Sequence, residues 1–376
     1  MQLEDSVLLA GNFLSASRQG TRGVCEDLAT RLGAKGWRVV TTSDKPKRLS
    51  RMLDMTTTAW SDRRTYGVAM VDVYSGNAFV LAEAICWTLR RAGKPYALAL
   101  RGGDLPSFAK RWPGRMRRLL ASAYIVTTPS SYLLEQMAQY RADLLLLPNP
   151  LDLSTYPFRL RKHPAPRLVW LRAFHAIYNP SLAPRVLALL AEDYPDIHLT
   201  MVGPDKGDGS LQVAQQTAKE LGVDGRITWV YGVSKEEVPA RLNEADIFVN
   251  TTNVDNTPVS VMEAMACGLC VVSTNVGGIP YLLENEKDSL LVAPGDAEDM
   301  AAAVSRLLSE EGLAAKLSGN AHNKASAMDW SLILPQWETL LRDAIRTRGQ
   351  ASGSPADSDP RPPTPDPHRR TNVRPD

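Results

Sequence analysis

Between residues 253 and 283 the chain reads NVDNTPVSVMEAMACGLCVVSTNVGGIPYLL, with two acidic side chains, Asp255 and Glu263, eight positions apart. Met262, Ala264, Met265 and Ala266 favour a helix around Glu263. Gly268 ends that helix, since glycine takes the left-handed conformation at a helix C-terminus without a Cβ penalty. Val271 and Val272 then start a strand, and Gly277-Gly278 turns into another helix at Ile279-Pro280. One carboxylate therefore lies on a loop before a helix and the other inside it. Carboxylates so placed can accept from docking hydroxyls, and free N–H groups at a helix start can hold an anion. Pro258 has no N–H, so the backbone donors fall to Val259 and Ser260.

Further chemistry-bearing residues stand just past predicted strands, where open α/β sheets bind ligands. Arg172 does so in VWLRAFHAIYNP, with His175 close by. Arg101 does so in LALRGGDLP; an arginine cannot act as a base at neutral pH, but it can hold an anion. Near the first strand, Gly20 lets the backbone approach a phosphate or sugar closely. That loop lacks the G-x-G-x-x-G of dinucleotide binding, which argues against an oxidoreductase. The Asp-x-Asp at Asp357-Ser358-Asp359 falls in a polar tail unsuited to a rigid metal site.

The acidic pair, with helix, turn, strand and glycine pair following in order, resembles the acidic-x7-acidic signature of glycosyltransferase family 4, retaining enzymes of GT-B fold. The resemblance spans nearly all of residues 6–345 and is strongest in the second half. It implies that Glu263 holds the ribose hydroxyls of a donor nucleotide and that Asp255, where the family usually has Glu, contacts the donor sugar. Gly20, Val259, Ser260, Gly232 and Val233 join Glu263 in the nucleotide and phosphate group. Arg172 matches the family's arginine and opposes charge on the departing diphosphate, while Tyr178 replaces the lysine usual six residues later. Asn256-Thr257-Pro258 replaces the usual Gly-Phe-Gly. Arg101 stands where the family often has His, and Asp104 is a candidate for positioning an acceptor hydroxyl. The implied catalytic set is Arg172, Asp255, Arg101 and Asp104, with no metal and no cofactor beyond the nucleotide sugar.

At 376 residues the chain suits two domains. Cys25, Cys86, Cys267 and Cys270 are too few for a disulfide framework. Cys267-x-x-Cys270 straddles a helix end and a strand start, where thiols pack as small apolar groups. Reduced thiols, an acidic N-terminus unlike a secretory signal and the lack of a membrane-spanning run lead to a cytoplasmic expectation, peripheral at the inner face of the membrane. A net charge of +2 hides an asymmetry. Residues 1–165 hold 24 Lys and Arg against 13 Asp and Glu, whereas residues 166–345 hold 13 against 24. The basic half faces something anionic.

Strand-like and helix-like runs alternate in both halves, which predicts α/β architecture with parallel sheets covered on both faces. With the resemblance, the expected architecture is a GT-B fold, two Rossmann-like domains facing across a cleft. Residues 1–160 form the acceptor-binding domain and 166–328 the nucleotide-sugar-binding domain. A helix at 330–346 packs back on the first domain, and 347–376 form a disordered tail. The basic segment 107–121, SFAKRWPGRMRRLLA, combines Lys110, Arg111, Arg115, Arg117 and Arg118 with apolar residues and suits weak contact with an anionic membrane surface. No motif supports nucleic acid binding. The expected function is sugar transfer from a nucleotide-diphosphate sugar to a glycan or lipid-linked acceptor, in cell-surface polysaccharide or glycolipid synthesis. The alternatives are a nucleotide-sugar epimerase on the same fold and a non-catalytic sugar-nucleotide binder.

Overall fold

The computed structural model describes residues 4–11, 13, 23–45 and 47–351, with side chains through residue 347. Gly20 and most of the tail lie outside these residues. The first half runs β1 (Ser6–Ala10), α1 (Val24–Ala34), β2 (Arg38–Thr42), α2 (Arg48–Ser61), β3 (Val68–Val73), α3 (Asn77–Arg91) and β4 (Tyr96–Leu100). It continues through α4 (Leu105–Arg111), α5 (Pro113–Ala121), β5 (Ile125–Thr128), α6 (Ser131–Ala138) and β6 (Leu144–Leu146). The second half runs β7 (Arg167–Leu171), α7 (Leu182–Leu190), β8 (His198–Val202), α8 (Ser210–Glu220), β9 (Ile227–Val230), α9 (Val238–Asn243) and β10 (Ile247–Asn250). Then follow α10 (Val259–Ala266), β11 (Cys270–Thr274), α11 (Ile279–Leu282), β12 (Leu290–Val292), α12 (Ala297–Ser309), α13 (Leu313–Ser326) and α14 (Trp330–Ala351).

Among the described residues these strands form two six-stranded parallel sheets, ordered β2-β1-β3-β4-β5-β6 and β12-β11-β10-β7-β8-β9. Strands such as VAMVDV and CVVST are buried along their whole length, because helices cover both faces of a parallel sheet. The strand order of each sheet reverses once, at β1/β3 and at β7/β10, and open α/β sheets bind ligands at such points. On one face of the first sheet, Met55 of α2, Phe79 and Ile85 of α3, and Met116 and Leu120 of α5 share a core. On the other, Leu28 of α1 packs with Trp330, Trp337 and Leu341 of α14, so the chain's last helix closes over the first sheet.

Three elements leave only a weak pattern in the sequence. In α2 the threonines at 56–58 and a thin buried face, Met55 and Ala59, blur any core stripe. β12 is three residues long, and α13 buries mainly small residues such as Ala314, Ser318 and Ala321. The basic segment divides at Trp112 into α4 and α5, where Pro113 cannot continue the first helix.

Arg161 pins the connection between the halves. Its side chain is fully buried and donates to the carbonyls of Cys267 and Ala245 (3.1 Å) and to Asn243 Oδ1 (2.9 Å), beside Asp246. Gly268, at φ +73°, ends α10 so close to Phe158 that a Cβ would lie 2.6 Å from that ring. Arg161→Ala removes a donor from Asn243 Oδ1 and from the Cys267 and Ala245 carbonyls, while Asp246 keeps Arg159 and the Ala165 N–H, and losing such buried hydrogen bonds costs roughly 1–3 kcal/mol. Denaturant unfolding should show a loss of that order; a change below about 1 kcal/mol contradicts the anchoring role.

Candidate functional site

The reversal point between β7 and β10 carries the polar cluster. Arg172 follows β7 directly, and its N–H donates to Val202 O at 3.0 Å. Gly203, at φ +151°, lets the next loop press onto that backbone, since a Cβ there would stand 1.7 Å from Arg172 O. The Arg172 guanidinium pairs with Asp255 and lies 4.6 Å from the centroid of the Tyr178 ring. Both charged side chains are only 13% exposed. The other Asp255 oxygen accepts from the Asn256 N–H at 2.8 Å.

Gly277 and Gly278 hold this loop from beneath. A Cβ on either would fall within about 2.2 Å of the Asp255 or Asn256 carbonyl oxygen, and the Gly278 N–H donates to Asp255 O at 2.9 Å. The pair therefore permits close backbone packing, and Gly278 does not offer its N–H to an anion.

Helix α10 starts one step further on. Val259 and Ser260 form its first turn, where N–H groups have no acceptor within the helix. Thr257 Oγ1, Ser260 Oγ and Arg172 Nε are buried without a hydrogen-bond partner. Buried polar atoms rarely stay unpaired, and these three border one helix start. Glu263 lies a turn deeper, 7% exposed, and accepts from the Tyr156 hydroxyl at 2.8 Å. Burial pushes its carboxyl pKa up, opposed by the Tyr156 bond and by the charges of Lys235 and Arg172. Gly232 and Val233 precede Lys235 on the same loop; Gly232 takes φ +69°, and Val233 packs on the core around α10.

The facing domain closes on this cluster. Ser130 Oγ bonds Asn256 Oδ1, Gly103 sits against Asn256, Lys235 pairs with Asp27 at 3.0 Å, and the Tyr281 hydroxyl donates to Glu135 at 2.7 Å. Asp104 stands exposed at the start of α4 beside that glycine loop. Arg101 is placed differently from the expectation of an anion-holding group. Its guanidinium is buried on Asp72 (3.0 Å) and Asn149 (2.7 Å), because β3 presents Asp72 to the end of β4. His175 serves as a local cap, its Nδ1 accepting from the Ile177 N–H at 3.1 Å.

The structure thus brings Arg172, Asp255, Val259, Ser260, Glu263, Gly232 and Val233 to one cleft wall, with Asp104 opposite and Arg101 behind. Sequence reasoning missed Tyr156, Thr257 and Lys235. Tyr156 comes from the linker and Lys235 from a turn, with no local pattern, while Thr257 was set aside as a replaced glycine motif. As for the cysteines, burial pushes the Cys267 and Cys270 thiols up to about 12.

Two parallel-sheet domains with a cleft at their facing strand ends define the GT-B fold. Residues 159–324 match the family model of glycosyl transferases group 1. A D-inositol 3-phosphate glycosyltransferase of Pseudarthrobacter chlorophenolicus is 26% identical over 65% of this chain and 61% of its own length. The chain thus covers less than two thirds of the curated relatives it matches. Among solved structures, sucrose-phosphate synthase from Thermosynechococcus elongatus superposes with a TM-score of 0.74 at 18% identity, over 91% of this chain and 99% of that one. The Anabaena protein HepE, in complex with UDP and glucose, gives 0.69 at 16% identity, over 90% and 99%.

Because its pKa is raised, Glu263 takes up its proton at a higher pH than an exposed glutamate. A ligand bound through the ionised carboxylate therefore weakens as pH falls through that raised value. A carboxyl with a folded pKa above its unfolded one stabilises the fold only as pH falls, so global unfolding does not explain such a loss. Calorimetry of nucleoside diphosphate against pH should show the decline in the native chain and a flatter profile in Glu263→Gln. Parallel profiles would contradict the assignment.

Proposed function

We propose that this protein is a glycosyltransferase that moves a sugar from a nucleotide-diphosphate sugar to a glycan or lipid-linked acceptor, with retention at the anomeric carbon. One observation carries the reading. Three unpaired buried polar atoms, from Arg172, Thr257 and Ser260, surround a helix start that is one turn from a buried carboxylate. A diphosphate fits the first group, since helix N-termini and guanidinium groups favour anions, and a ribose diol fits Glu263. The UDP and glucose in HepE support the same class of donor, and the relative, a glycosyltransferase, supports sugar transfer.

In this mechanism, negative charge grows on the diphosphate as the glycosidic bond breaks. Arg172, the Thr257 and Ser260 hydroxyls and the N–H groups of Val259 and Ser260 are already oriented to receive it, which is where electrostatic preorganisation acts. Asp255 meets the donor sugar once the incoming phosphate shares Arg172. The acceptor hydroxyl enters on the side the diphosphate leaves, and a leaving-group oxygen takes its proton. Asp104, from the opposite wall, orients that hydroxyl. Lys235, whose charge acts on Glu263 together with that of Arg172, partly offsets the lysine absent at Tyr178. No metal is required by this set. The finer reading is a cytoplasmic enzyme of cell-surface polysaccharide or glycolipid synthesis, held peripherally at an anionic membrane.

The Arg172–Asp255 pair favours a second reading, a non-catalytic sugar-nucleotide binder, because each charge already has a partner. Variants separate the two. Charged hydrogen bonds contribute roughly 1.5–3 kcal/mol each, so Glu263→Ala should weaken nucleoside diphosphate binding about tenfold or more. Arg172→Ala should lower turnover more than donor affinity, because its charge matters most in the transition state. Calorimetry and steady-state transfer measure both. Unchanged nucleotide affinity in Glu263→Ala would remove the main support, and binding without turnover in the native chain would leave the non-catalytic reading.

A further inference from the structure

The covering helices of the first sheet turn apolar side chains outward as well as inward. At about 100° per residue, Leu49, Leu53 and Trp60 of α2 fall within about 40° of one another, away from buried Met55 and Ala59. Leu49 is 74% and Leu53 61% exposed. On α3, Val80 and Trp87 form a second exposed stripe, away from Phe79, Ile85 and Cys86. These helices pack side by side on one face of the sheet, and Glu83 of α3 pairs with Arg115 of α5. Exposed Trp112 joins α4 to α5.

We propose that the outer stripes of α2 and α3, with Trp112 beside them, form a membrane-docking surface for an anionic bilayer. Charge selects that occupant. Helices α2, α3, α4 and α5 carry nine Lys and Arg against two Asp and Glu. Both acids are engaged, Asp54 with Thr42 and Glu83 with Arg115. Each exposed indole lies under a guanidinium: Arg63 is 4.5 Å from Trp60, Arg91 5.2 Å from Trp87 and Arg111 5.7 Å from Trp112, measured to the ring centroids. Indoles and arginines with leucines between them suit a headgroup layer over acyl chains. At the cleft end of this face, Arg48 and Arg51 line a cavity of about 210 Å³ with Ser75 and Asn77, a setting for a lipid phosphate.

The inference rests on the peripheral-membrane reading and changes its surface. The segment at 107–121 combines basic with apolar residues, but its Met116, Leu119 and Leu120 lie in the core. That segment supplies charge and one indole; the apolar contact comes from α2 and α3. A lipid-linked acceptor would then reach the cleft from the bilayer along this edge.

Co-sedimentation tests this, using vesicles of phosphatidylcholine alone and of phosphatidylcholine mixed with phosphatidylglycerol. The native chain should bind the mixed vesicles, less at high salt. Leu53→Glu and Trp87→Glu, which touch no site residue, should lower partitioning about tenfold or more, the scale of withdrawing one large apolar side chain from lipid. Both should keep the native thermal shift with nucleoside diphosphate. If they bind vesicles like the native chain while Lys110→Glu with Arg117→Glu does not, the surface is overturned and the membrane reading survives. If the native chain binds no vesicle, both fail. Retention on RNA that these two substitutions do not weaken would also overturn the proposal.

Discussion

Two opposite charges that are almost wholly removed from water, Arg172 and Asp255, govern the cleft. Such a pair holds together only where geometry is tight, because desolvation offsets most of its attraction. Here the geometry is set by backbone rather than side chains. Gly203 lets one loop press on Arg172, and Gly277-Gly278 brings another against Asp255 and Asn256. β7 and β10 lie side by side in the sheet, so the residues that follow them are forced together. The sheet order, the three glycines and the ion pair form one arrangement. On the proposed function, an incoming diphosphate, with more charge than a carboxylate, shares Arg172 and frees Asp255 for a sugar hydroxyl.

The first domain is held in register with this wall by polar contacts across the cleft and by the return of α14. Ser130, Glu135 and Asp27 reach Asn256, Tyr281 and Lys235. These are few and partly exposed, whereas α14 buries Trp330 and Trp337 against the first sheet. The large apolar contact therefore fixes which domain the last helix belongs to. Lys235 links the two walls, since it bonds Asp27 and also acts electrostatically on Glu263.

The α/β alternation was legible because buried parallel strands such as β3 and β11 are mostly apolar runs rich in valine, and because Gly268 marks a helix end plainly. Arg172 stood out as a charge placed where a strand's apolar run stops, and Glu263 as a charge set inside an otherwise apolar helix. Long-range pairing was not legible. Nothing near Arg101 announces Asp72, 29 positions away, yet that carboxylate takes its guanidinium. Tyr156 reaches Glu263 over 107 positions from a proline-rich connection. Helix α2 hid for a different reason: its largest apolar residues face outward, so the usual core periodicity is reversed on it.

The most direct test is a crystal structure with the nucleoside diphosphate that gives the largest thermal shift. The account predicts phosphate oxygens within hydrogen-bond distance, about 3 Å, of Arg172, Ser260 Oγ and Thr257 Oγ1, with the ribose hydroxyls on Glu263. A diphosphate bound away from the start of α10, with Arg172 still closed on Asp255 and Glu263 bonded only to Tyr156, would contradict it.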